Sequence, residues 1–101
     1  MLIIKELAKQ IREELHDAEK YAKGSLDHKQ EHPQLAALYN RLANEEMNHA
    51  MLLHEEAVRQ IEKATAERPA PPIMRELWAW QHDEIIEEER EVRRLLDMYK
   101  R

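Results

Sequence analysis

The sequence predicts an all-α fold in which three long helices form one small domain. Glycine occurs once and proline four times among 101 residues, so few positions interrupt a helix. Apolar residues recur every three or four positions through three segments, which is the period of a helix with one buried face. The predicted helices cover residues 2–27, 33–66 and 73–99 of a single domain, 1–101.

The first helix, 2–27, has an inward-facing stripe that begins with Ile4, Leu7 and Ile11. The same stripe continues through Glu14, so an acidic side chain falls among apolar ones. A turn is predicted near residues 27–32. Pro33 disfavours helical backbone in the residue before it and is tolerated in the first turn of a new helix.

The second helix, 33–66, carries a broad apolar face, and Glu46 lies within its main stripe. Residues 67–72 hold three prolines and form a stiff linker. The third helix, 73–99, has Trp78 and Trp80 as candidate anchors of a helix or subunit interface. Its middle, 83–91, is strongly acidic, and such a run usually forms a solvated face.

Composition excludes several classes of protein. The chain has no cysteine, so a metal would be bound by nitrogen and oxygen ligands. A net charge of −5 argues against binding to nucleic acid. The apolar run at residues 1–4 is too short for a signal peptide, and no later run is long enough to cross a membrane. We therefore expect a cytoplasmic protein.

Glu14, Glu46 and His49 are the candidate metal ligands. Glu46 and His49 are three residues apart, so their side chains leave the helix on one face. Burying a carboxylate without a partner costs several kcal/mol, and a bound cation removes this difficulty. Glu from one helix and Glu-x-x-His from another are half of a ferritin-like di-iron ligand set. Two chains would supply the whole set, completing a four-helix bundle by dimerisation.

Other acidic and histidine residues give weaker signals. Glu13 and His16 repeat the Glu-x-x-His spacing, but they lie on the outer side of the stripe and are expected at the surface. His54 lies on the wider Met-containing face of the second helix and is expected at an interface or around the ligands. His82, at the start of the acidic stretch, is a weaker candidate ligand.

The ligand pattern resembles that of the encapsulated ferritins, which belong to the ferritin-like superfamily. The match covers roughly residues 7–62: Glu14 is followed after seven residues by Tyr21, and Glu46 and His49 lie in the stretch 44–53. Tyr21 matches an aromatic residue near the metal site of that family. The resemblance implies a ferritin-like antiparallel helical hairpin, followed here by a C-terminal third helix.

The resemblance also implies an activity and an assembly. The activity is that of a ferroxidase, which oxidises Fe(II) to Fe(III) at a di-iron site between two chains, with Glu14, Glu46 and His49 as ligands. Zinc, manganese or calcium can replace iron in preparations. The assembly is a homodimer arranged in a ring of dimers. Tyr21, His54 and Glu88 are expected around the ligands or on the path by which iron reaches them.

One feature of the encapsulated ferritins is missing from this sequence. Their C-terminal tail docks inside an encapsulin shell, a protein nanocompartment, and often carries a Gly-Ser-Leu-like segment. No such segment follows Leu96, so the sequence leaves association with a shell open and does not support storage of iron in one. Two other functions stay open from the sequence: a helical oligomer whose polar core residues select its partner, and a di-metal protein without redox turnover.

Overall fold

The structure is a computed structural model that describes residues 2–101. It contains three α-helices, α1 (Leu2–Asp27), α2 (Pro33–Glu67) and α3 (Pro72–Lys100). The prediction of an all-α chain with three helices is confirmed for these residues. The helix ends differ from the predicted ends by at most one residue. None of the helices in residues 2–101 is apolar enough over a sufficient length to cross a membrane.

The first two helices form an antiparallel hairpin, and α3 returns alongside it. Tyr21 of α1 stacks on Tyr39 of α2, with ring centroids 6.0 Å apart. α3 packs more extensively on α1 than on α2. It runs parallel to α1, as the ion pair between Arg12 and Glu84 and the hydrogen bond from Lys29 to the Tyr99 carbonyl indicate. The resulting bundle measures 55 × 17 × 17 Å.

Small side chains let α1 and α2 approach each other closely. Five alanines of these two helices are completely buried. Because a methyl side chain takes up little space between two helices, it allows their backbones to lie close together. These alanines are Ala18, Ala22, Ala36, Ala43 and Ala50. Ile11, Leu15 and Val92 are the largest apolar side chains that are fully buried, and they join α3 to the hairpin core.

Proline and glycine shape the helix ends and one close contact. Pro33 and Pro72 each lie in the first turn of a helix, where the missing N–H removes no intrahelical hydrogen bond. Gly24 lies inside α1, and a Cβ atom placed on it would be 2.9 Å from the Tyr39 ring. The absence of a side chain at Gly24 therefore allows the aromatic ring of α2 to pack against α1.

Candidate metal centre

Three potential ligands converge where α1 crosses the middle of α2. Nδ1 of His49 lies 3.7 Å from Oε2 of Glu14 and 4.0 Å from Oε1 of Glu46. One donor atom from each of the three residues lies within 4.8 Å of the other two. Glu14, Glu46 and His49 are thus brought together as the spacing in the sequence indicated, and this group is called the metal group below.

The metal group lies at the margin of the core rather than in its centre. The side chains of Glu14 and Glu46 are 30% and 22% exposed, and that of His49 is 54% exposed. The sequence pattern had assigned both carboxylates to the interior, so this expectation holds only in part. Oε2 of Glu14 is nevertheless buried, and while Glu46 is ionised no hydrogen-bond donor from residues 2–101 reaches it. A cation at this position would give that oxygen a partner.

The two carboxyl groups of the metal group disfavour each other's ionised form. The hydrogen bond with Glu14 raises the pKa of Glu46 to about 7, and partial burial and the negative charge of Glu14 add to this effect. His49 acts in the opposite direction and lowers the pKa of Glu46. A bound cation would reverse the balance, because a positive ion stabilises both carboxylates in their ionised form.

The metal group opens on the side of the hairpin that α3 leaves uncovered. Side chains that contact α3 come from other faces; among them are Arg12 of α1 and Met51 and His54 of α2. Every charged group that influences the pKa of Glu46 belongs to α1 or α2. Apolar and aromatic side chains accompany the metal group on this open face: Tyr21, Leu38, Tyr39, Leu42 and Leu53.

Two other residues predicted near the ligands lie elsewhere, on the side of α3. Nδ1 of His54 lies 3.5 Å from Oε1 of Glu89. Glu88 lies beside Glu19 of α1, whose hydrogen bond raises the pKa of Glu88 to about 7. Neither His54 nor Glu88 joins the metal group. Tyr21 is on the open face, where it stacks on Tyr39.

Glu89 was missed because the acidic run 83–91 was interpreted as a solvated face. That interpretation is wrong for Glu89, which is only 8% exposed. Its position carried a readable signal: Ile85, Glu89, Val92 and Leu96 follow one another at steps of four, three and four residues, so all four share one helical face. An acidic residue inside an apolar stripe is the same signal that identified Glu14 and Glu46.

The neighbouring Glu-x-x-His pair and the neighbouring glutamate behave as surface residues. Glu13 and His16 are exposed, as predicted. Glu45 is also exposed and accepts a hydrogen bond of 3.1 Å from Arg41, one turn earlier. Glu45 therefore differs from Glu46 in environment although the two are adjacent, which makes Glu45 a matched control for substitutions of Glu46.

The donor set of the metal group defines which cations it suits. Two carboxylates with one imidazole favour iron, manganese or zinc over cations that prefer oxygen alone. Three protein donors leave coordination positions open for water, substrate or side chains of another molecule. Comparison with protein-family models, curated proteins and solved structures finds no match to this chain. The metal group is therefore the feature that points to a function.

Proposed function

We propose that this protein is a ferroxidase whose di-iron site forms between two copies of the chain. The observation that carries the proposal is the convergence of Glu14, Glu46 and His49 on a face that α3 leaves open. Iron is the substrate, and zinc or manganese would occupy the same positions when iron is absent. The fold would then be a ferritin-like hairpin that completes a four-helix bundle by dimerisation.

The need for a second copy follows from the ligand count. One chain offers two carboxylates and one imidazole, whereas a ferritin-like di-iron centre takes four carboxylates and two imidazoles from four helices. Two hairpins related by a two-fold axis supply this set. In that arrangement Glu46, Glu14 and His49 of each chain would hold the two ions, with Glu46 placed to be shared between them.

The open face has the apolar surface that such a dimer requires. Leu38 is 50% exposed, and Leu42 and Leu53 are partly exposed, on the face of α2 that carries the metal group. Covering these side chains with a second hairpin would remove apolar area from water and would close the metal group to solvent. Pairs of chains could assemble further into a ring, which is the arrangement that the resemblance to encapsulated ferritins implies.

The proposed reaction balances electrons between iron and oxygen. Two Fe(II) ions each lose one electron, and O₂ takes up two electrons and two protons to give hydrogen peroxide. The protein holds the two ions side by side and excludes bulk water. Its carboxylates favour the more highly charged Fe(III) product. With its pKa raised to about 7, Glu46 gives up its proton when the first cation binds.

Titration of the purified chain with Fe(II) under air tests this proposal. We expect about one iron per chain, conversion of monomer to dimer by analytical ultracentrifugation, and uptake of about one O₂ per two Fe(II). Glu46→Ala and His49→Ala should each abolish stoichiometric oxygen uptake. Glu45→Ala is the control, because Glu45 is exposed and bound to Arg41, and it should behave as the unaltered chain does.

The outcomes separate the alternative functions. Metal binding with dimerisation but without oxygen uptake would overturn the ferroxidase activity and leave a non-redox di-metal protein. A chain that binds no stoichiometric metal, and whose oligomeric state is the same after Glu46→Ala, would be a helical interaction protein. Equal oxygen uptake by the unaltered chain and by Glu46→Ala would refute the assignment of the site.

A further inference from the structure

A second cluster of chemically active side chains joins α2 to α3, on the side of the hairpin away from the metal group. It consists of His54 from α2 and of His82 and Glu89 from α3. Nδ1 of His54 lies 3.5 Å from Oε1 of Glu89, and the ring centroids of His54 and His82 are 5.2 Å apart. His82 and Glu89 are seven residues apart, or about two helical turns, so His54 contacts both from the opposite helix.

Glu89 is the buried member of this cluster. Its side chain is 10% exposed, and its Oε1 atom has no hydrogen-bond partner among residues 2–101. A buried carboxylate requires a donor or a positive charge nearby. The Nδ1 atom of His54 is the polar group that faces it. A slight approach of the two side chains would let a proton on Nδ1 bond to Oε1, and Nε2 of His54 would then carry the lone pair of the ring.

We propose that His54 and His82 bind one divalent transition-metal ion, such as zinc, between α2 and α3. Glu89 is the positioning residue that orients His54. In many metal sites, a ligating histidine donates its other ring N–H to a carboxylate, which holds the ring in place and raises its basicity. In the Glu89–His54 pair, Oε1 of the buried carboxylate faces Nδ1 at 3.5 Å, which is longer than a hydrogen bond, and binding of an ion would draw the pair into this arrangement.

The separation of the two imidazole rings agrees with a shared ion. A zinc–nitrogen bond of about 2.0–2.1 Å and tetrahedral angles place the centroids of two ligating rings about 5 Å apart. The observed separation is 5.2 Å. His82 is exposed, so an ion reaches the pair directly from solvent.

The histidine pair differs from the other close histidine pair in the chain. His28 and His32 have ring centroids 5.7 Å apart, but neither ring has a carboxylate partner in the described residues. His28 and His32 also belong to one short segment, so an ion bound there would not link two helices. An ion on His54 and His82 would link α2 to α3 and would stabilise the attachment of the third helix to the hairpin.

Zinc titration by isothermal calorimetry, in a chain that lacks the metal group, tests the proposal. The chain carries Glu46→Ala and His49→Ala, so that binding to the other cluster is measured alone. We expect about one zinc ion per chain and a rise in Tm of roughly 5–10 °C at zinc concentrations about ten times the Kd. Adding His82→Gln should abolish both effects. His82 is exposed, so this substitution leaves the core intact.

Two further variants distinguish the proposed roles. Glu89→Gln should weaken zinc binding by roughly 10–100-fold without abolishing it, because an amide oxygen can accept a hydrogen bond from His54 but carries no charge. His28→Gln together with His32→Gln is the matched control and should leave the Kd unchanged. The proposal is overturned if the chain without the metal group binds no zinc, if His82→Gln binds as before, or if binding disappears with the His28 and His32 substitutions.

Discussion

Glu46→Gln should stabilise the metal-free protein at alkaline pH. Glu14 beside it raises the pKa of Glu46 from 4.5 to about 7 in the folded chain. The folded chain therefore binds this proton more tightly than the unfolded chain does. The stability that Glu46 contributes is complete below pH 4.5, falls as the pH rises to about 7, and is absent above that. Glutamine carries no charge at any of these pH values, so it avoids the loss.

The size of the effect follows from the two pKa values. A change from 4.5 to about 7 corresponds to about 3 kcal/mol when the carboxyl is fully ionised. The side chain is 22% exposed and opens to solvent, which screens the repulsion, so about 1–2 kcal/mol is expected at pH 8. The difference between Glu46→Gln and the unaltered chain should disappear near pH 4, where Glu46 is protonated.

Urea denaturation in the presence of a chelator measures this difference. Both proteins are compared at pH 8 and pH 4 and at one fixed protein concentration, since association would otherwise alter the apparent stability. Glu45→Gln is the control and should show no gain at pH 8, because Glu45 is exposed and pairs with Arg41. Two results would refute the repulsion between the carboxylates of Glu14 and Glu46. One is a Glu46→Gln variant less stable than the unaltered chain at pH 8, and the other is a difference in stability that is the same at both pH values.

Three other substitutions test the packing of the helices. Glu88→Gln should also stabilise the chain above pH 7, since the hydrogen bond with Glu19 raises the pKa of Glu88 to about 7, and urea denaturation at pH 8 and pH 4 checks this. Ile11→Ala should lower the free energy of unfolding by about 3 kcal/mol, because Ile11 is 1% exposed and its removal leaves a cavity; a loss below about 1 kcal/mol would contradict the described core. Gly24→Ala should lower it by about 1 kcal/mol, since the clash with the Tyr39 ring outweighs the gain in helix propensity, and a higher Tm would show that the ring moves freely.

Much of the candidate site could be predicted because the spacing and periodicity that identify its ligands involve residues close together in the sequence. Glu46 and His49 lie one turn apart on the same helix, and the periodicity of apolar residues marks which face of α2 they occupy. Glu14 follows from the same reasoning on α1, and the short turn between the helices makes them antiparallel neighbours. The three donor atoms converge if the predicted faces of α1 and α2 that carry them pack against each other, and in the structure these faces do so.

The environment of the third helix could not be predicted in the same way. Periodicity identifies the apolar stripe of α3, but it does not indicate which side of the hairpin that stripe covers. His54 was expected either at an interface or around the metal ligands, and the sequence did not decide between the two; it faces α3 and contacts Glu89, because α3 packs on the opposite side from the open face. The pairing of Glu19 with Glu88 likewise depends on the axial register between α1 and α3, which no local pattern encodes.

By itself the sequence determined the three helices, their ends, and the face of each that carries acidic and histidine side chains. These features depend on interactions within a few residues: the helical period, the conformational restriction by proline, and the near absence of glycine. The tertiary structure alone decided which faces are covered, and hence that one cluster opens to the surface while Glu89 is buried between helices. That choice comes from packing side chains of distant segments against each other, which depends on shape and axial register over the whole bundle.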